Sequence, residues 1–429
     1  MKARWRWAPL LALAGVGAAP EGTLAQPPGT SFALSVASRP LLAALAGPAE
    51  GQGAYLTEPG REGWFRFERR PRAADIAADS GQALFVPGAG GTWVRIYSGK
   101  LDARWFGAQG DGASDDTAAL QRAIDYVVKS GGGGIVVPPG VYNVTNLTIP
   151  AYPLAGGNSL KVIEISGTSM PVTQFGSVGS IPVSNAGTII KSSAKTGGAI
   201  LKVAASDGFG GFSGYHVVLE DLNFRTYDDP GIGAVDMGNA SQLTAANLQI
   251  DTGIYPVQAA RPTHGTSGLV TPRNDNAALT WLRNINITGY FNLLEVNEHT
   301  DADEINLGAG CNGLLFNAGY HASRFGRVLA YRVTTPVTFA GRHSFSIEQL
   351  DVEHSITAAE ATDPADLSLG NGYQVTREDF RDPENAARGF VNWHVVQGNV
   401  GWVDRFIVNG AKNVQFRQLG KAAPPAGPG

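Results

Sequence analysis

The chain of 429 residues has a single cysteine, Cys311, so no disulfide can form within it. A lone cysteine is most often a small buried hydrophobe, and no Cys-His signature accompanies this one. Charge is also scarce: Asp, Glu, Lys and Arg make up 16% of the residues, against about a quarter in an ordinary soluble domain. The net charge is −4 and no long block of Lys and Arg is present. Nucleic-acid binding needs such clusters and is excluded as a partner. Beyond residue 25 no apolar run is long enough to cross a bilayer, so stable membrane insertion is not expected.

Glycine, at 56 residues, is abundant, and 43% of the chain is hydrophobic. Many tight turns around a large core suit a β-rich protein more than a helical bundle. The start, residues 1–25, reads as a signal peptide. Lys2, Arg4 and Arg6 precede an apolar stretch from Ala8 to Ala19, and Thr23-Leu24-Ala25 offers a small-residue cleavage site. A secreted or periplasmic location is therefore expected. Residues 26–100 read as a linker and a small β-meander, rich in Gly and in aromatics such as Trp64, Phe65, Phe67 and Trp93. Residues 421–429, rich in Ala, Pro and Gly, read as a disordered tail.

Between these lies the most informative stretch, Trp105 to Tyr142. Ser114 and Asp115 suit a helix start, and Leu120, Ala123, Ile124, Val127 and Val128 follow helical spacing. A helix over 114–129 is predicted, stopped by Gly131 to Gly134. A strand at Ile135-Val136-Val137 and a turn at Pro138-Pro139-Gly140 come next. From about 143 to 420 the pattern changes to short strands divided by Gly, Asn, Asp and Thr. Three segments share one shape, an apolar strand and then a histidine: 293–299, 314–321 and 337–343. Their histidines, His299, His321 and His343, are each 22 residues apart. A coil of a parallel β-helix takes about that many residues, whereas a sandwich gives no reason for the repeat. The predicted fold is all-β, a right-handed parallel β-helix over 101–420 with an N-terminal capping α-helix.

Phe106-Gly107-Ala108, Gly110-Asp111-Gly112, Asp115-Asp116-Thr117 and Pro138-Pro139-Gly140-Val141-Tyr142 together make this stretch resemble the opening of the pectate-lyase-like superfamily. The resemblance implies a helix that plugs the N-terminal end of a right-handed parallel β-helix. It also implies a polysaccharide as the substrate. The superfamily includes lyases, polygalacturonases, mannuronan epimerases and phage tailspikes, so a monomer or a homotrimer is implied. Active-site residues do not come with the opening. The Asp-Pro-His-Glu motif of the epimerases is missing, as is the polygalacturonase set.

Stacked coils place equivalent residues in columns about 4.8 Å apart. His299, His321 and His343 are expected in one such column, with Glu298, Asp301, Asp303, Arg324 and Arg342 around it. His, Arg and carboxylates in a groove suit uronic-acid chemistry. In a lyase a cation or Arg neutralises the sugar carboxylate while His or Arg takes the neighbouring proton. In a hydrolase two carboxylates flank the bond, drawn from Glu298, Asp301 and Asp303. His299, His321, Arg324, Asp301 and Asp303 are the catalytic candidates. Glu298, Arg342, His343, Tyr255, Arg261 and His264 are the substrate-binding candidates, the last three on a long loop over 252–278 that includes Arg273 and comes after Asp251. A histidine ladder with a purely structural role, and a solvated turn at 301–304, are equally open readings. No zinc or EF-hand spacing occurs, and calcium on the clustered carboxylates is the one cofactor considered. The expected function is cleavage of a uronic-acid-containing polysaccharide by β-elimination, with hydrolysis and tailspike-like binding as alternatives.

Overall fold

The computed structural model describes residues 34–153, most of 159–353, and the strands Gly372–Arg377, Trp393–Val400, Arg405–Val408, Val414–Phe416 and Leu419–Gly420. Within 159–353 it does not describe 169–186, 193, 195–197, 208–210, 227–230, 253–265, 274–278, 311, 317–321, 332, 334 and 340–343. The expected leader and tail lie outside the described residues.

The chain first forms a five-stranded sheet from Leu34–Val36 to Gly91–Arg95. Phe65, Phe67, Val86 and Trp93 alternate onto one face and pack with Leu42 as a small core. Two short helices, Arg39–Ala43 and Ala73–Ala78, interrupt the strands. The edge strand Leu34–Val36 pairs parallel to Gly53–Leu56, so the sheet is not a pure meander. Arg95 ties this sheet to the segment around Trp105. Its buried guanidinium lies 4.5 Å from the rings of both Phe65 and Trp105 and donates to the carbonyls of Arg61, Glu62 and Ala83. Burial pushes its pKa down to about 10.

The cap helix covers Thr117–Lys129, a correction to the expected start at Ser114. Asp111–Asp115 is instead extended, pairing with Gly140–Val144. The acidic motif before the helix is structural. Asp116 is buried and accepts from the amides of Gln109 at 2.6 Å and Gly110 at 3.2 Å. Asp111 accepts from the amides of Ala113 and Ser114, which hold its carboxyl below the usual range. Gly110 has φ +64°, and a Cβ there would lie 2.6 Å from the Tyr142 ring. The resemblance motif thus encodes a tight plug. Leu120 and Ile124 of the helix close over Ile135, Leu147 and Ile165 of the first coils. They cover apolar surface that an open end would expose.

Beyond the cap the chain winds as a right-handed parallel β-helix. One long sheet carries Lys161–Ser166, Ser213–Thr226, Ala240–Asp251, Leu279–Thr288, Thr300–Gly308, Ala322–Tyr331, Ser344–Glu353 and Trp393–Val400, each parallel to the next. A second parallel sheet of nine described strands runs from Leu147–Ile149 to Arg405–Val408. It includes Ser267–Val270, so the expected 252–278 loop holds a strand. Four residues, one of them glycine, are too few to show alternation.

The long strands are bent. Asp221, Asn247, Asn284 and Glu304 all have φ between 53° and 57°, the left-handed region that Asn and Asp tolerate best among non-glycine residues. The inward alternation shifts by one residue at each bend, as in Leu282, then Ile285 and Ile287, above Ala302, then Ile305 and Leu307. Asn284 donates to Asn247, and Asn247 to Asp221, each at 2.9 Å. This side-chain ladder holds the bends in line down the coils.

Candidate active site on the long sheet

The coil step sets which side chains meet. Thr280 pairs with Thr300, Asp301 with Arg324, and Ala322 with Ser344. The steps are therefore unequal, 23 residues from Asp301 to Arg324 but 20 from Asn286 to Asn306. The even 22-residue histidine spacing equals the step from Ala322 to Ser344 but not the 23-residue and 20-residue steps before it. His321 and His343 lie outside the described residues, as do Arg342, Tyr255, Arg261 and His264.

Three catalytic candidates do converge. His299, Asp301 and Arg324 border one depression of about 220 Å³, together with Leu279, Thr280, Trp281 and Thr300. Thr244, Trp281, Asp301 and Arg324 are successive register partners on the outward face of the long sheet. Charge alternates across this face. Arg283 Nη1 lies 3.1 Å from Asp301 Oδ1, and Arg324 lies 3.4 Å from the same oxygen. On its other side Arg324 meets Glu348 at 2.6 Å, and that hydrogen bond raises the guanidinium pKa above its ordinary value.

The remaining described candidates fall elsewhere. Glu298, expected to face substrate, is 1% exposed and lies behind His299, its Oε2 3.7 Å from His299 Nδ1. The turn before Thr300–Gly308 points this side chain inward, so it does not border the depression. Asp303 sits two residues beyond Asp301 on the same face and accepts from the amides of Glu304 and Arg327. Asp251, expected beside a loop, is buried at a strand end and held by Arg225 at 2.6 Å. Such a pair is structural, since its charges are already matched. Arg273 Nη2 meets Glu295 at 3.6 Å.

Trp281, Leu279, Arg283, Glu348 and His216 also shape this face. From sequence alone Trp281 is either a sugar-stacking ring or a core side chain, and Glu348 either faces the groove or lies on a plain surface strand, while no site role attaches to Leu279, Arg283 or His216. Stacking Leu282-Arg283-Asn284-Ile285-Asn286-Ile287 over Ala302-Asp303-Glu304-Ile305-Asn306-Leu307 exposes the register, and with it Trp281 over Asp301. His216 Nε2 lies 2.8 Å from Thr244 Oγ1, and its ring stands 5.9 Å from that of Trp281. Burial lowers its pKa.

Among the described residues no three His, Cys, Asp or Glu side chains gather as a metal site. The carboxylates considered for calcium do not fit it well. Asp301 is engaged by two arginines and Asp303 by main-chain amides.

Residues 101–197 match the family model described as rhamnogalacturonase A/epimerase, pectate lyase-like. Over 67 residues the chain is 42% identical to mannuronan C5-epimerase AlgE1 of Azotobacter vinelandii, a stretch covering 16% of this chain and 4% of the epimerase. Over 40 residues it is 55% identical to alginate lyase 7 of the same organism, covering 9% of this chain and 5% of the lyase. The chain thus matches only a small part of either relative. Among solved structures, the tailspike gp49 of the Acinetobacter baumannii bacteriophage Fri1, a capsular polysaccharide depolymerase, aligns with 91% of this chain and 71% of its own. The identity is 14% and the TM-score 0.49. The matched opening contains the cap helix and two stacked parallel sheets follow it, so residues 101–197 match a pectate lyase-like family and the chain behind them has the fold of a right-handed parallel β-helix.

Proposed function

We propose that this protein is an exported, secreted or periplasmic, polysaccharide-modifying enzyme that cleaves a uronic-acid-containing polysaccharide by β-elimination. The observation that carries this reading is the depression in which Trp281, His299, Asp301 and Arg324 meet on one outward face. The relatives bear names of the same chemical class, a C5-epimerase of mannuronan and an alginate lyase.

In this reading the Trp281 ring takes the apolar face of a sugar. Arg324 exchanges one of its side-chain carboxylates for that of the substrate, in a planar, forked contact. Neutralising the sugar carboxylate acidifies the neighbouring C–H. His299 turns Nδ1 toward Glu298, which leaves Nε2 to remove that proton. The electron pair forms the new double bond as the glycosidic C–O bond breaks, and the departing oxygen takes up a proton from solvent water.

Hydrolysis is the second reading, and one observation favours it. Arg324 bonds Asp301 on the preceding coil and Glu348 on the next one. One guanidinium reaches both, at 3.4 and 2.6 Å, so the bonded oxygens lie no farther apart than the roughly 6.5–9.5 Å of an inverting pair.

The deciding experiment incubates the protein with acidic and neutral polysaccharides while recording unsaturated-uronate absorbance and reducing ends. Absorbance with new ends supports elimination. New ends alone support hydrolysis with Asp301 and Glu348. Neither, with binding retained, overturns the enzyme reading and leaves tailspike-like binding.

A further inference from the structure

The outward face of the N-terminal sheet carries more exposed apolar surface than its fold needs. Phe65, Phe67 and Trp93 already fill the inner face. Register places Tyr55 opposite Trp64, and the Ile96 amide donates to the Trp64 carbonyl at 2.7 Å. Tyr55, Trp64 and Ile96 thus form one cross-strand row. Trp64 is 47% and Ile96 56% exposed, unusual for side chains this large. Tyr55 stands edge-on to Trp64, with ring centroids 5.1 Å apart, and so holds the indole before any ligand arrives. Arg66 follows Trp64 on the same face, and its register partner is Gly53. A Cβ at Gly53 would meet nothing within 4 Å, so a notch lies open beside Arg66.

Positive charge gathers on the same strand and just beyond it. Residues 61–72 hold five arginines and two glutamates in a chain of net charge −4. Glu68 pairs with Arg66, whose side chain is still 57% exposed. Arg72 meets Asp75 only at 3.9 Å. Arg69 and Arg70 are exposed past the strand end, and among the described residues no carboxylate pairs with either. An exposed apolar patch rimmed by polar groups marks a binding surface. The chemistry of this one fits sugar acids. A pyranose offers an apolar C–H face to the Trp64 ring. A uronate carboxylate lies at the edge of that ring, where an arginine can take it in a forked contact. An apolar protein partner would bury these cations unpaired, at a cost, and a neutral glycan would leave them unused.

We propose that Tyr55, Trp64, Arg66, Arg69 and Arg70 form a second, non-catalytic site that binds an acidic polysaccharide. The polymer lies along the strand Gly63–Glu68. This site is remote from the depression. Leu101–Asp102, just after the N-terminal sheet, and Leu279–Thr288 are five strand steps apart in the long sheet, about 24 Å. A short oligosaccharide fills one site alone. A long chain can hold both, which raises its effective concentration at the depression. The inference takes the class of polymer from the proposed function, but its contacts are independent of the depression.

Native gels containing polymannuronate, polygalacturonate, dextran or oligodeoxythymidylate test this with the full-length protein. A polyuronate, but not dextran, is expected to retard the parent. Trp64→Ala should weaken that retardation about tenfold, as for an aromatic anchor. Gly53→Glu should do the same by placing like charge in the notch, where the fold has room for it. It carries the test alone if Trp64→Ala fails to fold. Arg324→Ala, which removes the cation of the depression, should leave this dependence intact. Turnover of a short uronate oligosaccharide should stay unchanged in the Trp64 and Gly53 variants, while KM for the long polymer rises. Retardation by neither polyuronate, or retardation indifferent to both substitutions, overturns the site. So does tighter, Trp64-dependent binding of the oligodeoxythymidylate, or sedimentation showing that either substitution dissociates an oligomer. If polyuronate binding depends on Trp64 and Gly53 yet no polymer is cleaved, this site stands and the cleavage reading falls.

Discussion

His299 is exposed at the rim of the depression, and the buried carboxylate of Glu298 stands 3.7 Å behind its Nδ1. The two are adjacent in sequence, yet the turn sends one outward and the other into the protein. In the proposed mechanism Glu298 is therefore a positioning residue. Glu298→Gln should lower kcat about tenfold or more while KM changes little, because imidazole orientation matters most in the reacting complex. His299→Ala should abolish turnover, and its double variant with Glu298→Gln should be no worse. Steady-state kinetics on the cleaved polymer, with melting curves to confirm folding, would reveal this. Full activity in Glu298→Gln would remove the pair from the mechanism.

Arg324 links three coils through Asp301 and Glu348. A lysine offers charge without the planar fork. Arg324→Lys should therefore lose about 100-fold in kcat/KM, nearly as much as Arg324→Ala, through loss of transition-state stabilisation. Stability should hardly change, since exposed ion pairs contribute little. A lysine variant with near-normal kcat/KM would mean that charge alone suffices.

Asn247 combines a left-handed backbone, φ 55°, with hydrogen bonds to both Asp221 and Asn284. Asn247→Ala loses both, and alanine resists that φ. A loss of about 2–3 kcal/mol is expected from urea unfolding, the sum of the backbone and hydrogen-bond costs. Asn247→Gly relieves the backbone alone and should recover roughly 1 kcal/mol. An alanine variant as stable as the parent would show that the ladder is dispensable.

His216 gives a pH dependence with a definite sign. Burial holds its folded pKa below the ordinary 6.5. As pH falls past 6.5 the unfolded chain takes up this proton first, so stability is lost on acidification. The contribution is present in full above 6.5 and is gone below the folded pKa. His216→Gln should flatten the fall in Tm between those limits, seen by comparing melting temperatures of both proteins across that range. Parallel curves would mean that the ring titrates normally.

The cap and the coils were legible because each writes a local signal. Helical spacing from Leu120 to Val127, the glycines after it, and short alternating strands all reflect burial on one face of one element. The acidic opening motif was legible as a motif, and only the folded chain shows that Asp111 and Asp116 serve turns and the cap. The strand Ser267–Val270 was hidden because four residues hold too little periodicity.

His299, Asp301 and Arg324 were nameable from sequence as residue types able to do the chemistry. Their convergence depends on a 23-residue step from Asp301 to Arg324 and a 20-residue step from Thr280 to Thr300, whereas the even histidine spacing gives only the 22-residue step from Ala322 to Ser344. Coil length varies because turns absorb extra residues on the surface at little cost, while the inward residues must stay stacked. Sequence alone therefore determined the winding, the plug and the kind of side chain available. Tertiary structure decided which of them share a face, that Glu298 lies behind His299, and that Trp281 borders the depression, because cross-coil register is a property of packing and not of neighbouring residues.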